Sequence, residues 1–188
     1  VVEWVRLRLS RLSSGHEYVF FQFEGLADPE LSHIPDASLS HIDPEGKAAM
    51  VDVSSKPLTL REAIAEGVVF MQSETLDAIE SNQMAKGNVF ATARMAGIMG
   101  AKKTGEWIPL CHPLPITHCE VDCQIPPSRD RITIRASARI TAATGVEMEA
   151  LTAVSVAALT LYDMCKAVDK SMVIGDIKLV QKTKTALV

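Results

Sequence analysis

Acids and bases are spaced along the stretch from Thr144 to Val168 in a pattern that could carry proton transfer. Glu147 and Glu149 stand at its start, Asp163 and Lys166 near its end. Elsewhere, Lys86 follows a polar loop, and Ile108-Pro-Leu-Cys-His-Pro-Leu-Pro115 holds Cys111 and His112 in a rigid segment, because its prolines bar helix and central strand alike. A set of Lys, Asp, Glu and His suits acid–base chemistry on an anionic substrate. Each group also has a plainer reading. Glu147 and Glu149 would complement a helix dipole, Asp163 and Lys166 would form an i,i+3 surface pair, Lys86 would be solvated, and His112 would be a structural imidazole.

The stretch that carries the acids has no Gly or Pro between Val146 and Met172 and is rich in Ala, Leu and Val. Thr144 followed by Glu147 reads as a capping box, so the spacing predicts one long, mostly buried helix starting just after Thr144. Burial would leave Asp163 and Lys166 partly desolvated, with shifted pKa values. At about 100° per residue, Glu149 and Asp163 fall within roughly 40° of each other around the axis, yet roughly 20 Å apart along it. One helix cannot bring both to one small substrate. If both ends serve one site, a second copy of the chain must complete it, most simply across an isologous interface.

The remaining elements follow from periodicity. Arg61 to Met71 ends in a β-rich run and reads as a strand, its first half compatible with helix. Ser73 caps a short helix to about Ser81. Asn88 caps a helix from Val89 to Lys103, whose Ala93, Ala96, Gly97 and Gly100 form a small-residue stripe for Ala150, Ala153 and Ala157 of the long helix. Thr117 to Ile125 and Ile132 to Ile140 alternate apolar with polar, as a half-buried antiparallel hairpin does. Ile177 to Lys182 is a last strand. Strand, helices, strand, strand, helix, strand is an α+β, ferredoxin-like split βαβ: an antiparallel sheet with helices packed on one face. The free face would need cover, a second hint of oligomerisation.

Composition narrows the class. The 188 residues are 47% hydrophobic but only 5% aromatic, so the core must be aliphatic and small. A net charge of −4 argues against bulk nucleic-acid affinity. Cys111, Cys119, Cys123 and Cys165 lack a disulfide-framework spacing, and with His112 and His118 they match no zinc pattern. We therefore expect reduced thiols in a cytoplasmic protein, with no metal and no cofactor. No apolar run reaches the length of a membrane span, and charge interrupts the first ten residues too often for a signal-peptide core. Residues 1–40 read as an N-terminal extension and 41–188 as the main domain.

The motifs Met50-Val-Asp-Val-Ser, Lys86-Gly, Ala91-Thr-Ala-Arg-Met-Ala-Gly, Ile108-Pro-Leu-Cys-His-Pro-Leu, Thr144-Gly-Val-Glu-Met-Glu-Ala-Leu-Thr and Leu161-Tyr-Asp-Met-Cys-Lys-Ala-Val resemble those of the cyclic pyranopterin monophosphate synthase family of molybdenum-cofactor biosynthesis. The likeness runs from about His41 to Thr183. The resemblance implies conversion of 3′,8-cyclo-7,8-dihydroguanosine 5′-triphosphate to cyclic pyranopterin monophosphate with release of diphosphate. It also implies a homohexamer, a trimer of dimers with sites between subunits. It marks Asp163, Lys86 and Lys166 as catalytic, and Leu110, Cys111, His112, Glu147, Met148 and Glu149 as substrate-binding. Arg61, Asp52 and Lys182 are further candidates. On this reading a lysine with a lowered pKa shares the proton transfers and Asp163 positions or deprotonates it. The family's Gly-rich tail is not matched at Lys182 to Val188. A non-catalytic nucleotide-binding module and a different pterin or nucleotide enzyme are the competing readings. An RNA-binding module lacks the stacking aromatics it would need on the strands.

Overall fold

A computed structural model describes residues 7–11, 17–21 and 47–187. The chain divides into two compact units, Val1–Ser40 and His41–Val188. In the first, strands β1 (Leu7–Arg11) and β2 (Glu17–Phe21) pair antiparallel, Leu7 opposite Phe21. The turn-rich run Ala27 to Asp36 lies outside the described residues.

The second unit is built on a four-stranded antiparallel sheet in the order β4-β5-β3-β6. Its strands are β3 (Thr59–Phe70), β4 (His118–Gln124), β5 (Arg131–Ala142) and β6 (Val173–Ala186). The helices are α1 (Ser73–Glu80), α2 (Val89–Lys102), α3 (Thr104–Trp107) and α4 (Glu147–Cys165). This is the ferredoxin-like order read from the sequence. The alternation of Ile132, Ile134, Ala136, Ala138 and Ile140 buries all five on the helix side.

Small side chains set the distance between the layers. Ala63, Ala65, Ala136 and Ala138 of the sheet are buried beneath Ala150, Ala153, Val154 and Ala157 of α4. A Cβ at Gly67 would come within 2.7 Å of Val154 Cγ1, so α4 lies too close to β3 for any side chain there. This is how a chain so poor in aromatics reaches a dense core. Among the described residues α4 is the one helix long and apolar enough to cross a membrane, and here its buried face packs on the sheet.

The predicted stripe between α2 and α4 is present. A Cβ on Gly97 would lie 2.8 Å from the Ala153 carbonyl oxygen and 3.0 Å from Val121 Cγ2. Alanine gains about 1 kcal/mol over glycine in a helix interior. A clash with backbone costs about 1–3 kcal/mol because the neighbour cannot rotate away. Gly97→Ala should therefore destabilise the fold by up to about 2 kcal/mol, seen as a lower urea midpoint with an unchanged slope. A higher midpoint would mean that the helices are not held this close.

Several local expectations are corrected. β3 is strand throughout, because β5 pairs with it from Thr59 to Phe70. Ser73 is the first residue of α1, not its cap; Gln72 is the cap residue and its side chain makes no capping bond. α4 starts at Glu147, with Val146 as cap residue and no side-chain capping bond, so the Thr144 capping box does not form. The Glu147 carboxylate instead lies over Gly145 and pairs with Lys182. Asn88 caps α2 as predicted, its side chain accepting from the Ala91 N–H at 2.9 Å. β6 runs well past the predicted Lys182.

The open face of the sheet carries charge. Glu62 pairs with Arg139, Glu66 with Arg135, and the Arg131 guanidinium lies 4.5 Å from the Phe70 ring centroid. Paired charges of this kind stabilise a sheet face that meets water. The physical case for assembly moves instead to α4, to the exposed Met95 and Met99 of α2, and to β6, a 14-residue edge strand exposing Val173, Ile177, Leu179 and Val180.

Candidate active site

Lys86 reaches the end of α4 because of the loop that carries it. Met84 is buried and anchors the loop, and Gly87 follows at φ +88°, a left-handed turn that glycine adopts without strain. The lysine Nζ donates to Asp163 Oδ2 at 2.6 Å and to the Asp163 carbonyl oxygen at 2.9 Å. That carbonyl belongs to the last turn of α4, where acceptors lack intrahelical partners and a cation is favoured. Lys166 pairs with the other carboxylate oxygen, Oδ1, at 2.7 Å. One carboxylate thus serves two ammonium groups, one on each oxygen.

The electrostatics follow from that sharing. Lys166 first, and Lys86 second, hold the Asp163 carboxyl down at about 2. Asp163 in turn raises Lys166 above its ordinary value. This corrects the expected direction, because within one chain these groups are not desolvated. The Lys86, Asp163 and Lys166 side chains are each about half exposed. An apolar helix does bring its last turn to the surface here.

The other sequence candidates gather at the opposite end of α4. Glu149 is 3% exposed, and burial, with the neighbouring Glu147 charge, raises its pKa. Burial, then the nearby Glu149 charge, pushes the half-buried Cys111 thiol up as well. His112 Nε2 lies 2.9 Å from the Val51 carbonyl oxygen, which can only accept, so Nε2 carries the proton and Nδ1 is the nitrogen left for another partner. Leu110 is half-buried in the same loop, and Met148 is 37% exposed. Lys182 holds Glu147. Arg61 donates to Thr59 Oγ1 at 2.7 Å and to the Ala143 carbonyl at 3.0 Å, fixing the approach to α4. Asp52 turns its own loop, accepting from the Ser54 N–H.

Two groups of candidates therefore sit at two ends of one unbroken helix. The fourteen positions from Glu149 to Asp163 place them about 21 Å apart along the axis. Among the described residues no three His, Cys, Asp or Glu side chains converge as metal ligands would. The thiols are free, and burial raises Cys119, Cys123 and Cys165 to about 11. A depression of about 330 Å³ on the open sheet face, lined by Glu66, Asp122, Arg135 and Lys178 among others, contains none of the candidates.

Sequence reasoning passed over Asp169. It is 2% exposed and accepts bonds from Gln72 N–H, Thr75 Oγ1, Ser171 N–H and Ser171 Oγ. The Asp-x-Ser spacing just after a helix was the available signal, since Asp commonly accepts from the backbone two residues on.

A split-βαβ chain with a lysine–carboxylate–lysine cluster at one tip of its longest helix and acids at the other has the parts of an acid–base enzyme. The chain belongs to the MoaC family, whose model matches residues 50–185. Three relatives carry the name cyclic pyranopterin monophosphate synthase. That of Desulfitobacterium hafniense is 59% identical over 145 residues, covering 77% of this chain and 88% of the relative. That of Pelotomaculum thermopropionicum is 56% identical over 147 residues, covering 78% and 86%. The protein from Roseiflexus sp. is 55% identical over 147 residues, covering 78% and 93%.

Proposed function

We propose that this chain is a cyclic pyranopterin monophosphate synthase, converting 3′,8-cyclo-7,8-dihydroguanosine 5′-triphosphate to cyclic pyranopterin monophosphate with release of diphosphate. The observation that carries the reading is the Asp163 carboxylate bridging Lys86 and Lys166, in a chain 55% to 59% identical to synthases across the 145 to 147 residues they share.

Rebuilding a purine-derived ring as a pterin and closing a cyclic phosphate require proton transfers. Lys166, with its pKa raised, enters the reaction protonated and acts as the general acid. Asp163 stays ionised and holds both ammonium groups at the reacting atoms. Lys86 shares the proton transfers. The phosphates are held by cations at the other end of α4, Lys182 and Arg61, with His112 Nδ1 as a further hydrogen-bonding group. Leu110, Cys111 and Met148 contact the substrate beside Glu147 and Glu149.

The two ends come together in a dimer, the N-terminal end of one α4 meeting the C-terminal end of its partner's. The exposed Met148 and Leu159 on α4, and Met95 and Met99 on α2, supply apolar surface for that contact. Three such dimers make the hexamer. Four free thiols suit a reducing compartment, which we take to be the cytoplasm.

The test is turnover. Purified protein given the cyclised GTP derivative should yield a product that oxidises to a fluorescent pterin, with one diphosphate per product and no product from GTP itself. Binding without product would instead make the chain a nucleotide-binding module.

A further inference from the structure

The two lysines of the cluster come from segments far apart in sequence, and one buried side chain ties those segments together. α1 has no side-chain cap of its own. Asp169, from the turn after α4, takes that place: its Oδ2 accepts from the Gln72 N–H at 2.9 Å and from Thr75 Oγ1 at 3.2 Å. Its Oδ1 accepts from the Ser171 N–H at 2.9 Å and Ser171 Oγ at 2.7 Å. The Asp169 N–H donates to the Cys165 carbonyl at 3.0 Å, so the residue is also bound to the last turn of α4, next to Lys166.

α1 runs from this tie to the loop that holds Lys86. Leu76 and Ile79 fix its inner side in the core, and Arg129 pairs with Asp77 and Glu80 on its outer side. A short helix held on both sides passes a displacement of one end to the other. We propose that Asp169 is a positioning residue for the proposed chemistry, setting Lys86 against Asp163 and Lys166 by locking the start of α1 to the end of α4. The inference rests on the functional reading above.

A purely structural cap would lower stability and leave the folded enzyme's kinetics alone. A positioning tie would show in turnover, since small misplacements of reacting groups are costly. Binding would be spared, because the proposed phosphate-binding groups lie at the far end of α4.

The experiment is steady-state kinetics on the full chain carrying Asp169→Asn, at a temperature where circular dichroism shows it folded. The carboxamide keeps the shape but offers one acceptor oxygen where two were used, so one backbone N–H, of Gln72 or Ser171, loses its partner. We expect kcat to fall about tenfold with KM within about twofold. If Asp169→Asn does not fold, Thr75→Val, which removes one donor to the same carboxylate, should show the same split at about threefold. A kcat within twofold of wild type in a folded variant, or a loss confined to KM, overturns the proposal. Wild-type protein that makes no pterin overturns the functional reading, and this inference with it.

Discussion

Lys166→Arg should reduce turnover by a factor on the order of a hundred to ten thousand, the range a positioned general acid supplies. The charge is kept, but a guanidinium does not give up its proton in the range where the enzyme works, and its fork, suited to both carboxylate oxygens at once, meets a carboxylate whose Oδ2 is already taken by Lys86 at 2.6 Å. The fold should be indifferent. Lys166 and Asp163 are each about half exposed, and an ion pair in water adds little to the stability of a fold. The melting temperature should therefore move by no more than a few degrees while activity is lost. Lys86→Arg should behave alike, because Lys86 meets both Oδ2 and the backbone carbonyl of Asp163 with one compact ammonium. Turnover near that of wild type in either variant would remove these lysines from the chemistry. A collapse of stability that accounts for the whole loss would make the cluster a structural staple.

The parts of this site legible in the sequence are those set by local spacing. Asp163 and Lys166 are one turn apart on a helix, so their pairing follows from helical geometry. The separation of Glu149 from Asp163 follows from the same geometry, since nothing in the run breaks it. Lys86 is different. It meets Asp163 across 77 positions, and no periodicity encodes that contact; only the family resemblance suggested it. The direction of the Lys166 shift is not legible in the sequence, because an apolar run implies burial along all of α4 whereas its last turn reaches solvent. Strand ends were misjudged for a related reason. β6 extends to Ala186 because β3 offers a partner as far as Thr59, and Lys182 to Ala186 has no apolar alternation of its own to show it. Asp169 was passed over because its donors, Gln72 and Thr75, lie more than ninety positions away.

Mixing two inactive variants should restore activity. Asp163→Ala removes the anchor at one tip of α4 and Glu149→Ala removes the buried acid at the other, about 21 Å away. If each site takes one tip from each of two copies, a mixed dimer holds one site with both defects and one with neither. Random exchange of equal amounts makes half the dimers mixed, so about one quarter of wild-type activity should return. Assembly of such dimers into a hexamer would leave that fraction unchanged, since each proposed site would lie within one dimer. The exchange must be driven, for instance by mild denaturant and dilution, and followed by native mass spectrometry of differently tagged copies. A site built within one chain would give no recovery, because each subunit would carry its own defect. Recovery well above one quarter would mean that one of the two variants is not inactive in the mixed assembly. The fraction recovered therefore tests the geometry of the site, while the single variants test only its chemistry.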